Sequence, residues 1–113
     1  MHELGILAAV VRNVETIARE QQLTKVDTLV LQIGELASVV PHYIEQCYPA
    51  AVHGTLLAET RLRIEILPAN GRCKACGKVF NVVSNHRVCP ECGQDSWELL
   101  GGREFMIKEI VAC

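Results

Sequence analysis

The chain has 113 residues, 50% hydrophobic and 21% charged, which bounds it to one modest core with room for a small appended module. Eleven Lys and Arg against thirteen Asp and Glu leave a formal charge of −2, so a phosphate-neutralising surface is not its main business and no nucleic-acid partner is expected. No apolar run reaches the roughly 18 residues of a spanning helix. The segment after Met1 carries Glu3 and Arg12 where a signal peptide would have a basic start and an apolar core. A soluble cytoplasmic protein with no membrane partner is expected.

Residues 4 to 20 place Leu4, Leu7, Val11, Val14 and Ala18 at steps of three and four, flanked by Val10 and Ile17, with Arg12, Glu15, Arg19 and Glu20 on the remaining face. That period predicts an amphipathic helix. Residues 21–25 end it, and Val26 to Ile33 reads as a strand with Leu29, Leu31 and Ile33 on one face and Thr28, Val30 and Gln32 on the other, closed by Gly34. Pro41 suits the first turn of a second helix, whose buried stripe would be Ile44, Cys47, Tyr48, Ala51 and Val52. Pro49 lies within that helix and predicts a kink or an early end near Gln46 to Tyr48. Leu62 to Ile66 alternates apolar and charged residues as a one-faced strand does. Residues 103 to 111 return to β composition, with Phe105, Ile107 and Val111 against Met106, Lys108 and Ile110.

Between the last two strands, residues 68–71 and Gly101-Gly102 bracket a module. The order predicts an α/β protein of the two-layer α+β kind: two helices on a small three-stranded mixed sheet, with an inserted zinc-ribbon module. The domains would be 1–69 plus 103–113, and 70–102. The insertion also provides hinges through which elements could exchange between chains, so a monomer or a homodimer is compatible with this pattern.

Six cysteines are many for this length, and a reducing compartment favours metal ligation over disulfides. Cys73, Cys76, Cys89 and Cys92 form two CxxC knuckles twelve residues apart, close to the spacing of a tetrahedral Zn2+ site. Four thiolates close the coordination sphere, which favours a structural role over a catalytic one or a redox pair. Gly77 and Gly93 follow the knuckles, where backbone N–H groups can turn towards sulfur. Arg72, Lys74, Lys78 and Arg87 are offset by Glu91, Asp95 and the net −2 of Zn2+ with four thiolates, so they screen the cluster and form no basic patch. Phe80 alone provides no stacking platform. His86, three residues before Cys89, reads as a solvated loop residue, Cys47 as a small helix hydrophobe, and Cys113 as a terminal thiol without an assigned role.

At the other end, the Met1 amine, the His2 amide and imidazole and the Glu3 amide can wrap one metal in fused chelate rings. Such a nitrogen-rich set suits Ni2+ or Cu2+, and the Glu3 carboxylate could serve a six-coordinate ion.

Taken together, Met1-His2-Glu3, the strand ending Ile33-Gly34-Glu35-Leu36, the alternating Leu62-Arg63-Ile64-Glu65, the paired knuckles and the closing Gly102-Arg103-Glu104-Phe105 resemble the HypA/HybF family of hydrogenase maturation factors. The resemblance spans the whole chain. It implies a nickel metallochaperone that delivers Ni2+ to the large subunit of [NiFe]-hydrogenase with the GTPase HypB as partner. It further implies that His2, with Met1 and Glu3, binds nickel and that the four knuckle cysteines hold structural zinc. Some members offer a further carboxylate after the Ile-Gly-Glu stretch; residues 36–40 here contain none.

A zinc-ribbon interaction adaptor with an inert terminus is the rival reading. An enzyme is not expected: His42, His53, Glu35 and Glu45 are titratable but define no nucleophile, acid and orienting partner. Glu35 and Glu104 read as solvated strand-end charges, and Arg12 with Glu15 marks the face of helix one expected to dock a partner.

Overall fold

The structure is a computed structural model and describes residues 2–112, with side chains from Glu3 to Ala112. Helix α1 runs His2–Glu20. It buries Leu7, Val10, Val11, Val14 and Ala18, the stripe its period demands, while Ile17 stays exposed. Its end is a Schellman motif: Leu23 N–H donates to Ala18 O at 2.8 Å and Gln22 N–H to Arg19 O at 3.2 Å. Gln22 takes the left-handed conformation at φ 57°.

Strand β1, Val26–Gly34, follows, then α2, Pro41–Val52, and β2, Arg61–Leu67. The cysteine region supplies β3, Asn70–Cys73, β4, Val79–Asn81, and β5, Trp97–Leu99, and the chain closes with β6, Phe105–Ala112. Two three-stranded sheets result, ordered β2-β1-β6 and β4-β3-β5. The expected α+β class with two helices, a three-stranded sheet and a ribbon is the observed one. Among the described residues no helix is long and apolar enough to cross a membrane.

As the central strand of its sheet, β1 departs from a one-faced pattern: Val30 is as buried as Leu29 and Leu31. The edge strands carry the exposed apolar residues instead. Ile66 on β2 is 51% exposed, and on β6 Val111 is exposed whereas Ile110 is half-buried, so the expected alternation slips beyond Lys108. A polar ladder crosses the three strands, with Glu65 Oε1 accepting from Gln32 Nε2 at 3.4 Å and from Lys108 Nζ at 2.8 Å. Lys108 and Gln32 hold the Glu65 carboxyl below its ordinary value of 4.5.

Helix α2 does not end before Pro49. It continues to Val52, burying Ile44, Cys47, Tyr48 and Val52. Tertiary anchors outweigh the lost backbone bond. The Tyr48 hydroxyl donates to Thr60 O at 2.8 Å, and Thr60 Oγ1 in turn donates to Val26 O at 2.7 Å. Burial pushes the Tyr48 hydroxyl up to about 12. Because Pro49 denies the Glu45 carbonyl its helical donor, Pro49→Ala is expected to stabilise the protein by about 1–3 kcal/mol. A thermal melt followed by far-ultraviolet dichroism checks this; an unchanged or lower midpoint refutes it.

The chain divides into two compact units, one of Met1–Gln32, Val39–Glu65 and Met106–Cys113, the other of Ile33–Ser38 and Ile66–Phe105. In the first, α1 packs against α2. The second is wider than the bracketed 70–102 and takes in a distant segment, for a reason visible in its backbone bonds. Gly34 N–H donates to Glu104 O at 2.6 Å, Glu35 N–H to Leu67 O at 2.8 Å and Leu36 N–H to Gly102 O at 2.7 Å.

Candidate metal centre

Strand β3 lies between β4 and β5, both antiparallel to it, with Gly71 opposite Phe80 on one side and Leu99 on the other. Cys73 ends β3, facing Trp97 across the ladder. The two knuckles repeat one backbone geometry. Cys73 N–H donates to Lys78 O at 2.8 Å and Gly77 N–H back to Cys73 O at 2.9 Å; Cys89 N–H donates to Gln94 O and Gly93 N–H to Cys89 O, both at 2.9 Å. The glycine N–H groups therefore close the turns on carbonyl oxygen and are not aimed at sulfur. The donors to sulfur are other amides: those of Cys76 and Ala75 at Cys73, Lys78 at Cys76 and Gln94 at Cys92.

The turns bring all four sulfurs within 4.8 Å of one another. Cys73 Sγ lies 3.5 Å from Cys92 Sγ, and Cys76 Sγ 3.6 Å from Cys89 Sγ. A tetrahedron with sulfur about 2.3 Å from its centre has edges of about 3.8 Å, so the donor set fits one tetrahedral ion. The cysteines are free, and these separations exceed the roughly 2.05 Å of a disulfide.

In each knuckle the first cysteine is buried and the second exposed. Cys73 and Cys89 share a small core with Ala69, Phe80 and Val82, against which Leu36, Trp97 and Leu99 pack. Without a cation the cluster resists a full set of thiolates. The Cys76 amide N–H draws the Cys73 thiol from 9.0 down to about 7. The Lys78 N–H pulls Cys76 the same way but is outweighed by partial desolvation and by the adjoining thiols of Cys89, Cys73 and Cys92, which leave it at about 12. A divalent ion of the zinc type supplies the missing positive charge.

The basic residues of this unit are partly spoken for: Arg72 pairs with Glu98 at 3.5 Å and Lys78 with Glu91 at 3.9 Å, on exposed surface where such pairs contribute little. His86 is exposed and outside the sulfur cluster, as a solvated loop residue would be. His86 and Arg87 both adopt left-handed conformations, at φ 54° and 65°, which the composition of the loop does not announce.

Glu35 and Glu104 are more than solvated strand ends. Glu35 Oε1 accepts from Ala69 N–H at 3.0 Å and from Asn81 Nδ2 at 2.9 Å, which hold its carboxyl below 4.5. Glu104 Oε1 accepts from Gly102 N–H at 2.6 Å, and its carboxyl is likewise lowered, by its own N–H and that of Gly102. The one sequence signal for both is a carboxylate within two residues of a glycine at a strand end.

At the amino terminus, Met1 and the His2 side chain lie outside the described residues, as does Cys113. The His2 backbone opens α1, and Glu3 is buried in its first turn with Oε2 accepting from Val40 N–H at 3.5 Å. On α1, Glu15 Oε2 accepts from Leu56 N–H at 3.1 Å, so of the pair expected to dock a partner only Arg12 is wholly exposed. Cys47 is buried in α2 as a small hydrophobe, whereas His42, Glu45 and His53 are exposed.

The fold and the four-sulfur cluster define a class: a small α+β protein with a zinc-ribbon-like unit closed by four cysteines. A family described as hydrogenase/urease nickel incorporation, metallochaperone, hypA matches residues 1–112. Hydrogenase maturation factor HypA of Chlorobium luteolum is 34% identical over 111 residues, covering 98% of this chain and 95% of the relative. The factor of the same name from Geobacter metallireducens is 39% identical, covering 97% of each. The solution structure of the Ni metallochaperone HypA from Helicobacter pylori is similar with a TM-score of 0.66 at 20% identity, covering 97% of this chain and 96% of that one. A second solution structure of a HypA protein gives 0.71 at 20% identity, covering 100% and 97%. These two likenesses speak for the fold. The chain belongs to the HypA family of nickel-incorporation metallochaperones.

Proposed function

We propose that this chain is a nickel carrier for the maturation of [NiFe]-hydrogenase, binding Ni2+ at Met1-His2-Glu3 and delivering it to the hydrogenase large subunit, with HypB as partner and the cytoplasm as its place of action. The observation that carries the reading is the family match over residues 1–112, which includes the terminal tripeptide and all four knuckle cysteines. In this reading 1–69 with 103–113 is the nickel-binding domain, and 70–102 the zinc-binding domain whose Cys73, Cys76, Cys89 and Cys92 hold structural Zn2+. The protein is a carrier and not an enzyme.

The chemistry of the terminus supports a transferable ion. The first amides of a helix have no intrahelical carbonyl to bond, so those of His2 and Glu3 are available as in-plane nitrogen donors beside the Met1 amine and the His2 imidazole. The Glu3 carboxylate already accepts the Val40 N–H, which favours its amide over its carboxylate as the contribution to nickel. A chelate at a chain end is open on several sides, which suits release.

Calorimetric titration of untagged, zinc-loaded protein with Ni2+ tests the proposal. One tight site is expected, weakened at least about 100-fold in His2→Ala, because losing a direct ligand exceeds the 10–100-fold cost typical of outer-shell changes. Equal weak binding in both proteins would leave the adaptor reading in its place.

A further inference from the structure

Within the second unit lies a cavity of about 410 Å³ lined by Leu36, Ala37, Ser38, Arg87, Trp97 and Arg103. Its volume is that of a small-molecule or side-chain pocket. Two arginines line it and no acidic residue does. Among the described residues neither Arg87 nor Arg103 is in an ion pair; the pairs of this unit are Arg72 with Glu98 and Lys78 with Glu91. The nearest candidate in sequence, Glu104, turns its carboxylate onto Gly102 N–H.

The walls are held by hydrogen bonds to the backbone. Arg87 N–H donates to Val82 O at 2.7 Å, and Arg87 O accepts the Trp97 indole N–H at 2.9 Å. These two bonds keep Arg87 in its left-handed conformation next to an equally left-handed His86, a strained pair of the sort that persists where the surroundings over-determine it. Leu36 N–H bonds Gly102 O at 2.7 Å, which ties the 36–38 strip to the residue preceding Arg103.

We propose that this pocket binds an acidic peptide segment of a partner protein, with carboxylates at Arg87 and Arg103 and an apolar side chain against Trp97. Charge complementarity selects the occupant, since two planar guanidinium forks match carboxylates bidentately. Phosphate is disfavoured because its usual cradle, backbone N–H groups at a helix N-terminus, is missing: β3, β4 and β5 are joined by turns, with no helix in 66–105. The proposal is independent of the nickel reading.

Trp97 is the one tryptophan of the chain, so its fluorescence reports on the pocket directly. Zinc-loaded protein at low ionic strength is titrated with acetyl-Gly-Glu-Leu-Glu-Gly-amide, with the same peptide carrying Gln for both Glu, and with inorganic phosphate. The acidic peptide is expected to give a saturable change, at least tenfold weaker for the Gln peptide and at least fivefold weaker in Arg87→Gln and in Arg103→Gln. Arg87→Lys and Arg103→Lys keep the charge and lose the fork, and are expected to retain zinc while weakening the peptide. No saturable change at millimolar peptide, equal response to the Gln peptide, or phosphate binding as tightly as the peptide each overturns the proposal. So does undiminished peptide binding in the arginine variants. If the Gln variants lose zinc, the wild-type arms and the Lys variants decide.

Discussion

Zinc-loaded protein treated with excess chelator at pH 7.5 is expected to lose the near-ultraviolet signal of Trp97 while keeping most of its helical signal. The core around the knuckles is a cluster of five buried residues, Ala69, Cys73, Phe80, Val82 and Cys89, and two of those five are knuckle cysteines. So small a core does not offset the entropy of ordering its turns, and the metal supplies the difference. Structural zinc sites bind with apparent energies of about 10–16 kcal/mol, or about 2.5–4 kcal/mol per ligand. Cys76→Ser, which alters an exposed ligand and leaves the apolar core intact, is therefore expected to weaken zinc by about two to three orders of magnitude. Competition with a zinc indicator measures it, and a variant binding as tightly as the parent refutes a four-sulfur site.

The same experiment has a signed pH dependence. Metal displaces thiol protons, so apparent affinity falls with falling pH. In the metal-free chain, the lowered Cys73 thiol favours the folded unit fully above its unfolded value near 9, and that contribution is lost as pH falls through about 7. The raised Cys76 thiol acts in the opposite sense: its contribution is present below 9 and is lost as pH rises towards about 12.

The second large effect is steric. A Cβ placed on Gly34 would lie 2.2 Å from both the carbonyl carbon and the oxygen of Gly102 and 2.7 Å from Arg103 N, all backbone atoms that cannot rotate away. One on Gly102 would lie 2.5 Å from Ala69 Cα, at a φ of +113° that side chains avoid. Gly34→Ala and Gly102→Ala are each expected to cost at least about 3 kcal/mol, the upper end for overpacking. That is a fall of roughly 10–20 °C in the melting midpoint for a chain of this size. Gly5→Ala provides the contrast, since nothing lies within 4 Å of its Cβ and the helix interior gains about 0.5–1 kcal/mol from alanine. Equal midpoints for Gly34→Ala and Gly5→Ala would refute the close approach.

These glycines show how far the sequence could be read. Gly34 was legible as the end of a strand and Gly102 as punctuation, because both roles are local. That the two touch, and that Glu35 and Glu104 fasten the same region, depends on residues about 30 to 70 positions apart in the chain. Pro49 illustrates the opposite failure. Local rules kink or end the helix near Gln46 to Tyr48, but Tyr48 and Val52 are held by burial and Tyr48 also by its bond to Thr60, so the helix runs on to Val52.

By itself the sequence determined both helices, the three strands of the larger sheet, the four cysteines that cluster and the family, since periodicity, knuckle spacing and motif order all lie within short stretches of chain. Tertiary structure alone decided that Ile33–Ser38 belongs with the cysteine-bearing unit and that Val30 is buried on a central strand. It also decided that Arg87 is held left-handed beside Trp97. The physical reason is common to all three: local pattern says which face of an element is apolar, but which partner covers it, and which backbone group a carbonyl or amide finds, is settled only when the chain returns.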